Sequence, residues 1–204
     1  MSVHDVFLTN TLTRKKEVVK TLKPGVLTFY SCGPTVYDFI HVGNLRAAMT
    51  ADLAFRVFKR AGYAVTYVRN YTDVDDRIIL KANKEGVASE VVSKRFIGEV
   101  ERDYAAAGLL EPTHKTTVTG HIAEIIAMTE KIIANGCGYV VNGEVFFAID
   151  KADHYGKLSH RKLDDLEAGH RVEINISKKN PLDFTLWKPA KPGEPSWESP
   201  WGPG

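Results

Sequence analysis

The stretch over residues 26–46 constrains this chain more than any other. Val26, Leu27, Thr28, Phe29, Tyr30 and Ser31 form a β-branched and aromatic run, while from Asn44 onward Leu45, Ala48, Met49, Leu53 and Val57 recur at helical spacing. The stretch therefore reads strand, loop, helix, with Cys32 at the first junction. A loop that leaves a buried parallel strand and feeds a helix N-terminus is where open α/β sheets bind ligands, because free amides and the helix dipole favour anions there. Gly33 and Gly43 let the backbone come close to a ligand, and His41 supplies a donor just ahead of the helix.

Gly62 then stops the helix, and residues 63–69 form a second strand rich in Val and Tyr. Strand, helix and adjacent parallel strand make half of a doubly wound nucleotide-binding sheet. Residues 70–76 are the loop at the carboxyl end of the second strand and are expected to face the same crevice as Cys32 and His41. A helix over about 75–83 and another opened by Ser89 follow, the latter burying Val92, Phe96, Val100 and Tyr104. Upstream, residues 6–10 read as a short strand, and Lys23, Pro24 and Gly25 as a turn.

Beyond Pro112 the pattern changes. Residues 119–134 carry Ile122, Ile125, Ile126, Ile132 and Ile133 as an amphipathic helix closed by Gly136. Asn142 and Gly143, between apolar residues 139–141 and 144–149, are a strong hairpin signal. Strands that turn back on themselves do not belong in a parallel sheet. The expected organisation is α/β: residues 1–114 form the first half of the sheet domain, 115–180 an inserted small α+β subdomain, and 181–204 a segment returning to the first domain.

Bulk properties exclude little. A chain of 204 residues with 44% hydrophobic and 25% charged residues is ordinary for a soluble globular protein. No apolar run approaches membrane-spanning length and no signal-peptide pattern opens the chain, so no membrane partner and a cytoplasmic location are expected. Cys32 and Cys137 could pair, but so few cysteines fit a reduced intracellular protein more naturally. The net charge of +2 does not announce nucleic-acid binding, and the excess of Lys and Arg in residues 1–60 is read as solvated surface.

His41-Val42-Gly43-Asn44 resembles the His-Ile-Gly-His signature of class I aminoacyl-tRNA synthetases, with Asn44 in place of the last histidine. The flanking run from Cys32 to Asp38, the run from Tyr67 to Asp76 and the tail from Pro192 to Gly204 resemble cysteinyl-tRNA synthetases in the same order, and together span nearly the whole chain. The resemblance implies a Rossmann-like catalytic domain with a connective-peptide-like insertion, ATP-dependent activation of cysteine, and transfer to tRNA(Cys). It implies that His41, Gly43 and Asn44 meet ATP, with His41 and Asn44 in the catalytic step and Mg²⁺ sharing the phosphate charge. Cys32, Gly33, Thr35 and Thr72 are implied to line the cysteine pocket. Cys32 is also implied to hold Zn²⁺, which would select a thiolate over serine's hydroxyl.

The remaining zinc ligands and the Lys-Met-Ser-Lys-Ser loop of that family would fall after Gly204, so the 204 residues alone are expected to aminoacylate poorly or not at all. A monomer is expected. His114, His121, His154, His160 and His170 show no metal spacing and read as surface or locally bonded residues. Asp73, Asp75 and Asp76 read as solvated or capping, and Trp197 and Trp201 as packing. Two rival readings remain open to sequence: a cysteine ligase that joins cysteinyl-adenylate to an aminosugar, and a binding or assembly module with the same fold and no turnover.

Overall fold

The computed structural model describes residues 3–160 and 178–204. The chain divides into two compact units, one of Met1–Leu8 and Lys16–His121, the other of Thr9–Lys15 and Ile122–Gly204. β1 (Phe7–Asn10) and β2 (Lys15–Val18) pair as a two-stranded sheet. The basic segment after residue 10 thus contains a strand that the sequence reading leaves out.

The first unit is a parallel sheet with helices. β3 (Val26–Ser31), α1 (Val42–Arg60) and β4 (Ala64–Tyr71) make a strand, helix, strand crossover, followed by α2 (Asp76–Glu85), α3 (Ser89–Ala106) and β5 (His114–Thr117). Strand order is β3-β4-β5 and both pairings are parallel, with Val26 opposite Ala64 and Val68 opposite His114. The α/β expectation holds, and a third parallel strand is added where the sequence pattern showed none. β5 reads His-Lys-Thr-Thr, with no apolar residue to signal a strand; its backbone is recruited by β4.

α1 buries Ala48, Ala51, Asp52, Phe55 and Phe58, not the whole stripe expected of it. Met49, Leu53 and Val57 are exposed at 50%, 62% and 41%. The aromatic side of the helix is drawn onto the sheet because Phe55 and Phe58 pack on Phe29, which stacks on Tyr67 at 4.5 Å. Gly62 takes φ +93 just after the helix, as its stop requires. α2 and α3 meet over a core of Ile78, Ala82, Val92, Phe96, Val100 and Tyr104, and Val36, from the loop after β3, is fully buried among them. α3 begins with Ser89 inside the helix; its cap is Ala88, which holds the extended backbone and offers no side-chain acceptor.

In the second unit, α4 (Ile122–Ala134) precedes an antiparallel sheet of β6 (Gly138–Val141), β7 (Glu144–Phe147) and β8 (Phe184–Trp187). Asn142 and Gly143 adopt φ 52 and 81 between β6 and β7, the double positive φ of a type I′ hairpin. Asp183, 2% exposed, accepts from Tyr139 Oη at 2.6 Å and from the Ile149 N–H at 2.9 Å, which fixes the entry to β8. Trp201 packs on Trp187 with centroids 5.9 Å apart, as a packing role requires. Among the described residues no helix is long and apolar enough to cross a membrane.

Candidate active site at the carboxyl ends of the parallel strands

The loops after β3 and β4 leave the same edge of the sheet because the strands are parallel. They are tied together. Thr35 and Thr72 form an isolated parallel bridge, in which the Val36 N–H donates to the Thr72 carbonyl and the Thr72 N–H to the Pro34 carbonyl, each at 3.1 Å. Gly33 donates its N–H to Oδ1 of Asn70 at 2.8 Å. A Cβ built on Gly33 would stand 1.7 Å from the Asn70 carbonyl oxygen, so only glycine permits this approach.

Beneath Gly33 lies Arg69, 3% exposed, stacked on the Tyr104 ring at 4.5 Å. Its Nη2 donates to the Tyr71 hydroxyl at 3.4 Å and its Nε has no partner. Burial raises the Tyr71 pKa above the ordinary tyrosine value, with the guanidinium pulling the other way.

The loop that continues to α1 is stapled to α2. Arg77 donates to Thr35 Oγ1 at 3.0 Å, pairs with Asp75 at 2.9 Å and lies over the Tyr37 ring at 4.8 Å. One turn on, Lys81 pairs with Asp38 at 3.0 Å. Asp73, 8% exposed, accepts from the N–H groups of Val118 and Thr119 at 2.8 and 3.1 Å and from the Thr119 hydroxyl. Asp75 caps α2 by accepting from the Arg77 N–H. Asp73 and Asp75 are capping groups, as the sequence reading expected of that cluster.

At the far end of the loop His41 is the N-cap of α1. Its Nδ1 accepts from the Gly43 N–H at 3.0 Å, and Asn44 Oδ1 accepts from the His41 N–H at 3.2 Å. With Nδ1 used as an acceptor, the neutral ring carries its proton on Nε2. The exposed ring thus offers one donor beside the positive end of a helix. The departure from histidine at position 44 is used by the fold: Asn closes the capping box.

Cys32 is a free and exposed thiol, not the small buried hydrophobe that a cysteine at a strand end usually is. Tyr30, two residues back, has its hydroxyl pKa raised by desolvation first and by the neighbouring Cys32 sulfur second. Among the described residues no hydrogen bond joins Cys32, His41 and Thr72 to one another. Gly33, Thr35 and Thr72 are brought together; Gly43 and Asn44 gather on His41. A separate groove of about 540 Å³ runs along the other half of β3, lined by Leu22, Val26, Phe29, Ala54 and Phe58, and none of these candidate residues lines it.

Among the described residues no three His, Cys, Asp or Glu side chains stand together as a metal site. Cys32 by itself does not make a zinc centre. His121 Nδ1 bonds the Thr117 carbonyl at 2.8 Å and His160 Nε2 the Thr11 carbonyl at 2.9 Å, local partners as expected; His170 lies outside the described residues. Sequence reasoning missed Asn70 and Arg77. Their only sequence signal is position, immediately beside Thr72 and the acidic cluster.

The model of the tRNA synthetases class I (C) catalytic domain matches residues 18–204. The chain belongs to this family. Its relatives include a cysteine–tRNA ligase of Geobacter sulfurreducens, 52% identical over 96% of the chain and 40% of the relative, and the cytoplasmic cysteine–tRNA ligase 2 of Arabidopsis thaliana, 52% identical over 97% and 39%. A cysteine–tRNA ligase of Thermosipho africanus is 48% identical over 98% of the chain and 43% of the relative. The chain therefore spans about 40% of the length of the curated relatives it matches. Within this class I (C) family, relatives named for tRNA ligation give no support to the aminosugar ligase or to a module without turnover.

Proposed function

We propose that this chain is the part of a cysteine–tRNA ligase that binds ATP and cysteine, working in the cytoplasm. The observation that carries the reading is the placement of a free, exposed thiol at the end of β3, on the loop that leads to a histidine-capped helix N-terminus. The reaction class needs a carboxylate to attack the α-phosphorus of ATP as its bond to the β-phosphate oxygen breaks and pyrophosphate leaves. The tRNA hydroxyl then attacks the carbonyl carbon of the adenylate and displaces AMP.

His41 would donate from Nε2 to a phosphate oxygen, on which charge grows in the transition state, and Gly43 would leave room for the phosphate chain. Asn44 would hold His41 in register through the cap, with its amide nitrogen free to face the nucleotide. Gly33, Thr35 and Thr72 would form the wall of the cysteine site, with the Cys32 thiol at its mouth. Zn²⁺ at Cys32 needs further ligands from outside the described residues, and Mg²⁺ would arrive with ATP.

The test is ligand stabilisation of the chain. Cysteine and ATP should each raise the melting temperature, by an amount equivalent to about 2.7 kcal/mol at a hundred times Kd, while serine should not. Cys32→Ser should abolish the cysteine response and keep that of ATP. A chain indifferent to both ligands refutes the reading.

A further inference from the structure

The ladder between β3 and β4 runs in strict register up to Ser31 opposite Arg69 and resumes with Thr35 opposite Thr72. Three residues, Cys32, Gly33 and Pro34, thus face two, Asn70 and Tyr71, so the first strand carries one extra residue at the point where Cys32 emerges. An inserted residue of this kind breaks the pairing and re-aims side chains, and it needs something to hold it. Here the Asn70 side chain takes the place of the missing backbone acceptor, receiving the Gly33 N–H at 2.8 Å. The Asn70 backbone is itself fixed, paired with Thr116 of β5. Its carbonyl occupies the space a Gly33 side chain would need. Cys32 is exposed and adjoins Gly33 in the chain, with the Tyr30 side chain beside its sulfur.

We infer that Asn70 is a positioning residue for the cysteine site: its carboxamide clamps the extra residue after β3 and thereby sets where the Cys32 thiol stands. Asn70 acts through Gly33 and touches no reacting atom. The inference rests on the proposed cysteine site around Cys32. It requires the acceptor oxygen and not the amide nitrogen, since the group it receives is an N–H. Aspartate at this position should therefore serve, and alanine should not.

The test compares wild type with Asn70→Ala and Asn70→Asp in the 204-residue chain, by hydrogen exchange at the Gly33 amide and by the cysteine concentration that gives half of the cysteine-induced melting shift. Asn70→Ala should speed Gly33 exchange about tenfold and raise that cysteine concentration about tenfold, the weight of one neutral hydrogen bond. Asn70→Asp should return both to within about threefold of wild type. The ATP-induced melting shift should stay the same in all three, which a general loss of structure would not allow. If Asn70→Ala does not fold, Asn70→Ser, whose hydroxyl stops short of the Gly33 N–H, replaces it.

Unchanged Gly33 exchange, an unchanged cysteine concentration at half-shift, or an Asn70→Asp chain as impaired as the alanine variant each overturns the role of Asn70 and leaves the cysteine site standing. Wild type whose melting temperature does not respond to cysteine at any concentration overturns the site itself, and the clamp's purpose falls with it.

Discussion

The imidazole Nδ1 of His41 and the carboxamide Oδ1 of Asn44 are both committed to the same helix end, the first accepting from Gly43 and the second from the His41 backbone. The histidine proposed above to meet phosphate is at the same time the N-cap of α1. Its two roles can be separated by substitution. His41→Ala removes the cap and the Nε2 donor and should lower stability by about 1 kcal/mol. His41→Asn keeps a strong capping side chain, so it should unfold near the wild-type urea midpoint. On the proposed role, both variants should lose the ATP-induced melting shift; an asparagine variant that still responds to ATP as wild type does would remove His41 from the nucleotide site.

Gly33→Ala should be costly at a position that looks like any loop glycine. The added Cβ meets the Asn70 carbonyl at 1.7 Å, and neither partner is a flexible side-chain end. Overpacking of this kind costs about 1–3 kcal/mol and forces the β3 and β4 ends apart. Urea denaturation should show that loss, together with a weaker cysteine response. Stability within about 0.5 kcal/mol of wild type would mean the approach of the strands is softer than the structure has it.

Asp73→Ala should destabilise the first unit more than a surface carboxylate change would. Its buried carboxylate receives the Val118 and Thr119 N–H groups and the Thr119 hydroxyl, holding the loop after β4 to the end of β5. Removing it leaves those donors without an acceptor at a cost of about 1–3 kcal/mol. Asp73→Asn retains one acceptor oxygen and should recover part of the loss in the same denaturation experiment.

Acid should loosen the staple between the site loop and α2. The hydrogen bond from Lys81 first, and then that from the Phe39 N–H, hold the Asp38 carboxyl below the usual aspartate value. The folded pKa is lower than the unfolded one, about 3.9, so the contribution is full above that value and is lost as pH falls through the folded pKa. The Asp38 side chain is half exposed, so the effect should be only a few tenths of a kcal/mol. Melting curves taken from about pH 6 down to about pH 2 should fall less steeply for Asp38→Asn than for wild type; identical slopes would show that the pair contributes nothing.

Much of the first unit, and the hairpin of the second, was legible in the residues. The β-branched run before Cys32, the stop at Gly62, the four-residue stripe from Val92 to Tyr104 and the Asn142–Gly143 turn all appear as read. These features are local: each is set by backbone sterics or by the period of one element. β5 escaped because an edge strand of His, Lys and Thr has no hydrophobic pattern and exists only because β4 offers it a partner. The outward stripe of α1 escaped because two apolar faces compete, and the aromatic cluster under Phe29 decides between them.

The sequence by itself determined which chemical groups the chain carries and the order in which strand, loop and helix present them, since propensity, capping and turn formation act over a few residues. Only the tertiary structure decided that Asn70 would hold Gly33 and that Thr35 would face Thr72, because residues 37 apart meet only when parallel strands fix their register. That register includes one extra residue beside Cys32, an offset that arises from pairing and is written in neither strand alone.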